Sequence, residues 1–575
     1  MTGITLDAYE VTGCPVKVQN SFNPLVNPAL DQPDEAAVET FRHGADYRTG
    51  VWEEMLDQFD GDIVDIRVLT DPMEAVAGTL AAMSRGADVI LGAVMPEDPI
   101  GHRRGQIDLL LRADDASEGR PGYHPVLIRR HLVFEKITPP KAEQPMSDLS
   151  RPHLADARTA ASWRVRVSSR EADLLHLAHT YRMLQAIGHA APGEVWAGLI
   201  GTDRVPRHSG PVVGWIRLDI KLIRTFSRTS SHAWIRRTPL ERYDHEHGFR
   251  VSVAEKALRH TGGPDDPPLA VHPVRIRECS RCEWWTNCRS QLDDDDLSIK
   301  IDRSPLDARE IMSLRRLGIA TIRDLADADL DALLPDYLPT VAHRPGAEER
   351  IRLAARRGAL LSHGDELERT TRGPIPIPQA DIEIDLDIEN SQTDRVYLWG
   401  FLVHDRRTDK EPVYVPFGRF TRLTVAQERD LATEAMDWLR DLVEDNPEAT
   451  IRIYHYSDYE RVRLNRLARS QRDPESSLAW ASIFAKDHFT DLYMIVRRHF
   501  FGVHGLGLKV VAQTGADFRW RDEAPSGLNS QHWFETAVKA AAEEERDSAK
   551  QRILDYNEDD VRATWSLRRW LRTLT

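Results

Sequence analysis

Cysteine is scarce in this chain. Four occur in 575 residues, too few to build a disulfide scaffold of that size. Long apolar runs are missing as well: stretches such as Ala75–Met83 reach about half of the ~20 residues a membrane span needs. The first residues, MTGITLDAYEVTG, show no basic segment followed by an apolar run, so the expected location is cytoplasmic, with no membrane partner. Positive charge is short overall, with 76 Lys and Arg against 91 Asp and Glu and a net charge of −15. That balance excludes a passive coat held to nucleic acid by bulk attraction. It leaves room for an enzyme with local basic patches. Lys and Arg crowd between Arg204 and Arg250, and the last fifteen residues, from Val561, carry four arginines and no acid.

What is present is globular: 41% hydrophobic and 29% charged residues, in a length that predicts about three or four domains. Asp293–Asp296, four consecutive acids, reads as a solvated linker. Gly373–Pro378 alternates proline and is too stiff for a central strand or helix. These breaks predict an α/β multidomain chain with domains at 1–292, 297–372 and 379–575.

The middle segment predicts helices. Ser304-Pro-Leu-Asp307 has a capping serine and proline at the first helical position; Gly318 ends one helix and Thr321-x-x-Asp324 caps the next. Such a pair can aim backbone N–H groups at a phosphate. It resembles the helix-hairpin-helix module of DNA repair proteins, and a purely structural helical connector fits as well.

Cys279, Cys282 and Cys288 form C-x2-C-x5-C, and Cys14 lies far upstream. If all four converge, they satisfy either tetrahedral zinc or a cubane iron–sulfur cluster, and spacing alone does not choose. One cysteine ahead of a domain and three after it resembles the RecB-type iron–sulfur nucleases, with a restriction-endonuclease-like fold. That resemblance implies a [4Fe-4S] cluster that staples the domain's two ends. Gly105-Gln-Ile-Asp108 resembles the family's strand with a metal-binding aspartate, and Leu174–Tyr181 its late helix. After Asp108 the family pattern requires (D/E)-x-K; this chain has Leu127 and Arg129 at those places and Arg48 where relatives carry Glu. Leucine cannot ligate a metal and arginine replaces lysine poorly. The expected N-terminal domain is therefore a degenerate nuclease kept for binding or scaffolding, with Asp108 a possible remaining site.

Asp381–Glu389 reads D-I-E-I-D-L-D-I-E. Strict alternation puts five carboxylates on one strand face and the aliphatic residues on the other. No Lys or Arg occurs from Gly373 to Asp394, so the face is expected to bind cations or water. Strands then follow at Val396–Val403, Pro412–Pro416 and Ala449–His455. Helices are expected from Thr424 to about Glu444, over Asp458–Ser470, and along the C-terminal stretch to Leu574. This order resembles the ribonuclease H-like fold, and its residues resemble the DEDD, DnaQ-like 3′→5′ exonucleases. Asp387-Ile-Glu389 fits the opening D-x-E. His455–Glu460 fits the second motif with Glu460 for the usual Asp, and Tyr556-x-x-x-Asp560 fits the third. Asp385 and Asp491 are possible further acids; Asp555, Glu558 and Asp559 read as a solvated helix face.

The resemblance implies two Mg²⁺ or Mn²⁺ ions on Asp387, Glu389, Glu460 and Asp560, with Tyr556 placing the attacking water. As a whole the chain resembles bacterial nucleases that join a RecB-like iron–sulfur domain to this exonuclease-like domain. The expectation is a 3′→5′ exonuclease on single-stranded or frayed DNA, with RNA also open, in repair or defence beside a possible helicase partner. An endonuclease centred on Asp108 and a non-catalytic DNA-binding scaffold are the alternatives.

Overall fold

The computed structural model describes residues 3–27, 35–138, 143–206, 208, 210–302, 306–470, 473–523 and 526–575. They group into two compact units, one built mainly from Met1–Ile299 and the other mainly from Arg350–Thr575. Residues 297–372 are shared between the units instead of forming a third: Leu306–Ala320 and Asp329–Glu349 join the first, and Thr321–Ala328 the second. No described helix is long and apolar enough to cross a membrane.

After a short helix at Ala8–Thr12, the first unit has α1 (Pro15–Phe22) and α2 (Glu35–Gln58). Its sheet has eight strands: β1 (Ile63–Asp65), β2 (Val89–Asp98), β3 (Arg103–Arg112), β4 (Tyr123–Ile128), β5 (Glu143–Asp148), β6 (Arg158–Ala161), β7 (Trp196–Ile200) and β8 (Val212–Arg217). Their order is β1-β2-β3-β4-β7-β8-β5-β6. Continuous apolar runs, Val89-Ile-Leu91 and Leu109-Leu-Leu111, mark strands buried on both faces. Alternate side chains leave on opposite sides. Val89, Leu91, Leu109 and Leu111 pack with Val51 and Met55 of α2, whereas Ile90, Leu110 and Leu127 share a core with Leu174 and Leu177 of α3 (Glu171–Ala186).

In the shared stretch, α4 (Ala308–Arg316) starts later than the sequence suggests. Asp307 caps it, in a reciprocal box with Glu310. The expected start at Ser304 and Pro305 lies outside the described residues. Gly318 adopts φ 84° just after α4, a left-handed turn that glycine enters at little cost. Thr321 and Asp324 form the expected capping box of α5 (Ile322–Asp327).

The second unit follows the sequence expectation closely. Its strands are β9 (Ile382–Asn390), β10 (Val396–Asp405), β11 (Val413–Gly418), β12 (Ile451–His455) and β13 (Phe489–Asp491), ordered β11-β10-β9-β12-β13. β9 to β11 form an antiparallel meander, and β12 and β13 continue it in parallel. Among its helices are α6 (Val425–Glu444), α7 (Tyr459–Arg469), α8 (Leu508–Ala516), α9 (Gly527–Lys539) and α10 (Glu543–Thr573). Ile382, Ile384, Leu386 and Ile388 bury one face of β9 against Leu431, Ala435, Met436 and Leu439 of α6. The middle of the acidic face is not open to solvent, contrary to one expectation for it. Glu383 and Asp385 are fully buried.

Candidate active site

One acid per turn of pleat along β9 meets a different environment at each step. At the buried end, Arg568 of α10 donates from Nε to Asp385 at 3.0 Å and also binds Glu383. Arg572 adds a contact to Glu383 at 2.7 Å. Asp385 is thus committed to an ion pair and is not free to hold a metal, which corrects its place among the possible ligands.

Two residues further along, the pairing stops. Asp387 and Glu389 of β9 and Asp560 of α10 each offer an oxygen, and these oxygens lie within 4.8 Å of one another. Among the described residues no other group of three acid, His or Cys ligand atoms is this tight. Glu389 and Asp560 are buried, while Asp387 is partly exposed at the mouth. Burial and then the carboxylates of Asp560, Glu389 and Glu460 push the Asp387 carboxyl well above its usual range. Glu389 is pushed up to about 8 by burial and Asp560. Burial raises Asp560 as well.

Glu460, in the first turn of α7, is buried beside this trio, and its Oε2 has no hydrogen-bond partner. His455 Nδ1 stands 3.6 Å from that oxygen, an ion-pair distance but too long for a hydrogen bond. An orphaned buried oxygen whose charge reaches Asp387 of the crowded trio gives a donor set that suits hard divalent cations. Asp491 is placed differently. It caps the helix Leu492–His499 and accepts from the Ser457 N–H at 3.1 Å, so it supports the β12–α7 turn.

Each carboxylate is aimed by a neighbour, the arrangement that fixes ligand orientation at metal sites. Asn557 donates from Nδ2 to Asp387 at 2.7 Å and is itself held by the Tyr414 hydroxyl at 2.7 Å. Ser530 donates to Glu389 at 2.6 Å, and Trp520 Nε1 to Asp560 at 2.7 Å. Gly400 pairs with Asp387 across β10 and β9. A Cβ there would collide with Asn557 Oδ1, so glycine is what lets Asn557 reach Asp387. Lys509 of α8 donates to the Tyr556 hydroxyl at 2.7 Å, and its charge opposes the upward shifts of Asp387, Glu389 and Asp560.

The sequence reading missed Lys509, Asn557, Ser530 and Trp520. Only Gly400, a glycine inside an aromatic-rich strand, left a readable signal. The reading of Asp559 as solvated is also corrected: it is buried and accepts from the Arg521 backbone N–H and Nε, each at 2.8 Å. Glu558 binds the same arginine at 3.0 Å.

In the first unit, Asp108 of β3 accepts from the Ile128 N–H at 2.8 Å and from Arg129 Nη1 at 3.3 Å, with Arg48 Nη1 3.5 Å from its other oxygen. Arg129 also donates to Asp173 at 2.8 Å. Two guanidinium groups thus occupy the space around this carboxylate, and Leu127 is buried in the core. The four cysteines line one small cavity with Val16, Lys17, Trp284 and Trp285. Burial and then the Cys14 and Cys282 sulfurs push the Cys288 thiol up to about 12. Cys14 sits at the N-cap of α1, 264 residues before its backbone N–H partner Glu278 at 3.3 Å.

Residues 382–572 match a family model of the RNase H superfamily. No curated protein and no solved structure matches the chain. The second unit therefore carries an RNase H-like domain. With its acidic triad, that domain marks a nuclease-type hydrolase of phosphodiester bonds that uses divalent Mg²⁺ or Mn²⁺.

Proposed function

We propose that the chain is a 3′→5′ exonuclease acting on single-stranded or frayed DNA from the site on β9, α7 and α10. The convergence of Asp387, Glu389 and Asp560, with Glu460 orphaned beside them, carries this reading. Asp387, Glu389, Glu460 and Asp560 would hold two divalent ions, which supply charge to a developing oxyanion and acidity to a water. The protein's own residues do the rest. Asn557, Ser530 and Trp520 hold the carboxylates in place before substrate arrives. Lys509 fixes the Tyr556 hydroxyl one helical turn from Asp560, where it can orient a water toward the phosphate. Asp387, the partly exposed member, would face the incoming strand.

The N-terminal unit acts in binding, not cleavage, because Arg48 and Arg129 fill the space at Asp108. Its four cysteines would hold a [4Fe-4S] cluster with a structural role. Tetrahedral zinc on the same four thiolates is the alternative. The shared lining of one small cavity by Cys14, Cys279, Cys282 and Cys288 supports a common centre.

The polarity is tested with a 5′-labelled single strand, Mn²⁺ and the full chain. A ladder shortening from the 3′ end, blocked by a 3′-terminal phosphorothioate, is expected. A single internal cut at early times means an endonuclease instead. DNA and RNA strands of one sequence, run in parallel, decide the sugar preference.

A further inference from the structure

The first unit holds a cavity of about 1500 Å³, larger than the ~300–1,000 Å³ of ordinary small-ligand pockets. Eleven arginines and five acids line it, in a chain whose net charge is strongly negative. Four of the five acids are already used. Glu135 binds Arg164, Glu171 and Glu246 bind Arg242, Glu246 also binds Arg250, and Asp307 binds Arg344. Arg228, Arg236, Arg237, Arg309 and Arg316 have no acidic partner among the described residues.

Arg309 is the most telling of these. Its guanidinium lies 3.6 Å from the Phe226 ring centroid and donates to the Thr340 carbonyl at 2.8 Å, so the side chain is held in place without an ion pair among the described residues. Burial, and then the positive charges of Arg316 and Arg228, hold it below its ordinary range. One held guanidinium, Arg309, with the exposed and mutually repelling Arg228 and Arg316 on the same lining, leaves a site for a multiply charged anion. Apolar surface is interleaved with this charge. Ile220, Phe249 and Met312 line the same cavity and are 39%, 41% and 36% exposed. Phosphate-binding cations beside exposed apolar and aromatic side chains are what a single nucleic-acid strand requires, charge for its backbone and faces for its bases.

We propose that this cavity is a second nucleic-acid site, separate from the carboxylate site, which grips several nucleotides of single strand through Arg228, Arg309 and Arg316. The inference rests on the nuclease reading for its choice of a nucleic acid over another polyanion.

The experiment measures binding of a fluorescent dT20 and a matching rU20 by anisotropy, with the full chain in EDTA so that no strand is cut. Wild type should bind with a steep salt dependence. Removing three phosphate contacts in Arg228→Ala/Arg309→Ala/Arg316→Ala should weaken binding at least tenfold and flatten the log–log salt slope by about 2. The charge-keeping triple change to Lys should retain most of the slope, and Arg228→Ala/Arg236→Ala, on exposed positions, should give a smaller loss if the triple variant folds poorly. Tighter binding of one of the two strands names the source of the phosphate backbone. Binding of dT20 and rU20 unaltered in both alanine variants overturns the proposal. So does wild type that binds neither strand while an acidic polypeptide such as polyglutamate occupies the cavity. A chain that binds strands in this cavity and cuts none would instead overturn the exonuclease reading and leave this one standing.

Discussion

The Lys509 ammonium donates to the Tyr556 hydroxyl at 2.7 Å and lies 4.6 Å from the centroid of its ring. This single cation therefore does two jobs. It fixes the tyrosine that faces the carboxylates, and it moderates their mutual repulsion. Lys509→Ala is expected to raise the pKa values of Asp387, Glu389 and Asp560 further, because the opposing positive charge is gone. The pH–rate curve for strand hydrolysis should move to higher pH, and Tyr556→Phe should lower the rate with a smaller displacement, since it removes a hydrogen bond to Asp560 alone. A Lys509→Ala curve superimposable on wild type would remove the electrostatic role.

The raised carboxyl of Glu389 sets a direction for pH and metal. Its ordinary pKa of 4.5 rises to about 8 in the folded chain, so between those values the folded state holds a proton that the unfolded state releases. In metal-free protein this group's contribution to stability is present on the acid side and lost as pH rises through that window. Metal binding needs the carboxylate and expels the proton. Mn²⁺ should therefore raise the melting temperature of the second unit more at pH 8.5 than at pH 6.0. An equal shift at both values contradicts the assignment.

Arg568 is fully buried and is the main counter-charge for Asp385. Arg568→Leu leaves a buried carboxylate without its partner, which costs about 3–5 kcal/mol. The urea transition that Mn²⁺ stabilises should shift by that amount, and the other transition should not. A shift below ~1 kcal/mol would mean the acid is satisfied elsewhere.

How much of this was readable depends on where each partner lies in the chain. The strands of the second unit are legible because period-2 patterning marks β9, and the Thr424–Gln427 capping box marks the start of α6. The chemical meaning of β9 was only half legible. Its five acids look alike locally, yet Arg568 neutralises one end from 183 residues away, and nothing in the strand announces that. Lys509 is hidden for the same reason: a lone lysine in a short helix has no motif, and only the fold brings it to Tyr556. The first unit shows the opposite case. Leu127 and Arg129 stood out only against the pattern of the resembled family, while the contacts of Arg129 and Arg48 with Asp108 depend on the fold.

Asp108 offers a prediction of its own. Asp108→Ala should leave strand hydrolysis within a few fold of wild type, since its carboxylate is spent on Arg129, Arg48 and the Ile128 N–H. Complete loss of hydrolysis in a folded variant would return the N-terminal unit to the catalytic role.

The central claim is that the crowded carboxylates of the second unit are the cleavage site, and Asp560→Asn tests it most directly. Asparagine keeps the side-chain shape and an oxygen for the Trp520 N–H, but it removes the charge a divalent cation requires. Digestion of a 3′-ended single strand with Mn²⁺ should fall on the order of 10²–10³-fold, as for comparable deletions of transition-state electrostatics. Strand binding in EDTA should survive. Asp560→Asn that digests the strand at the wild-type rate contradicts the account.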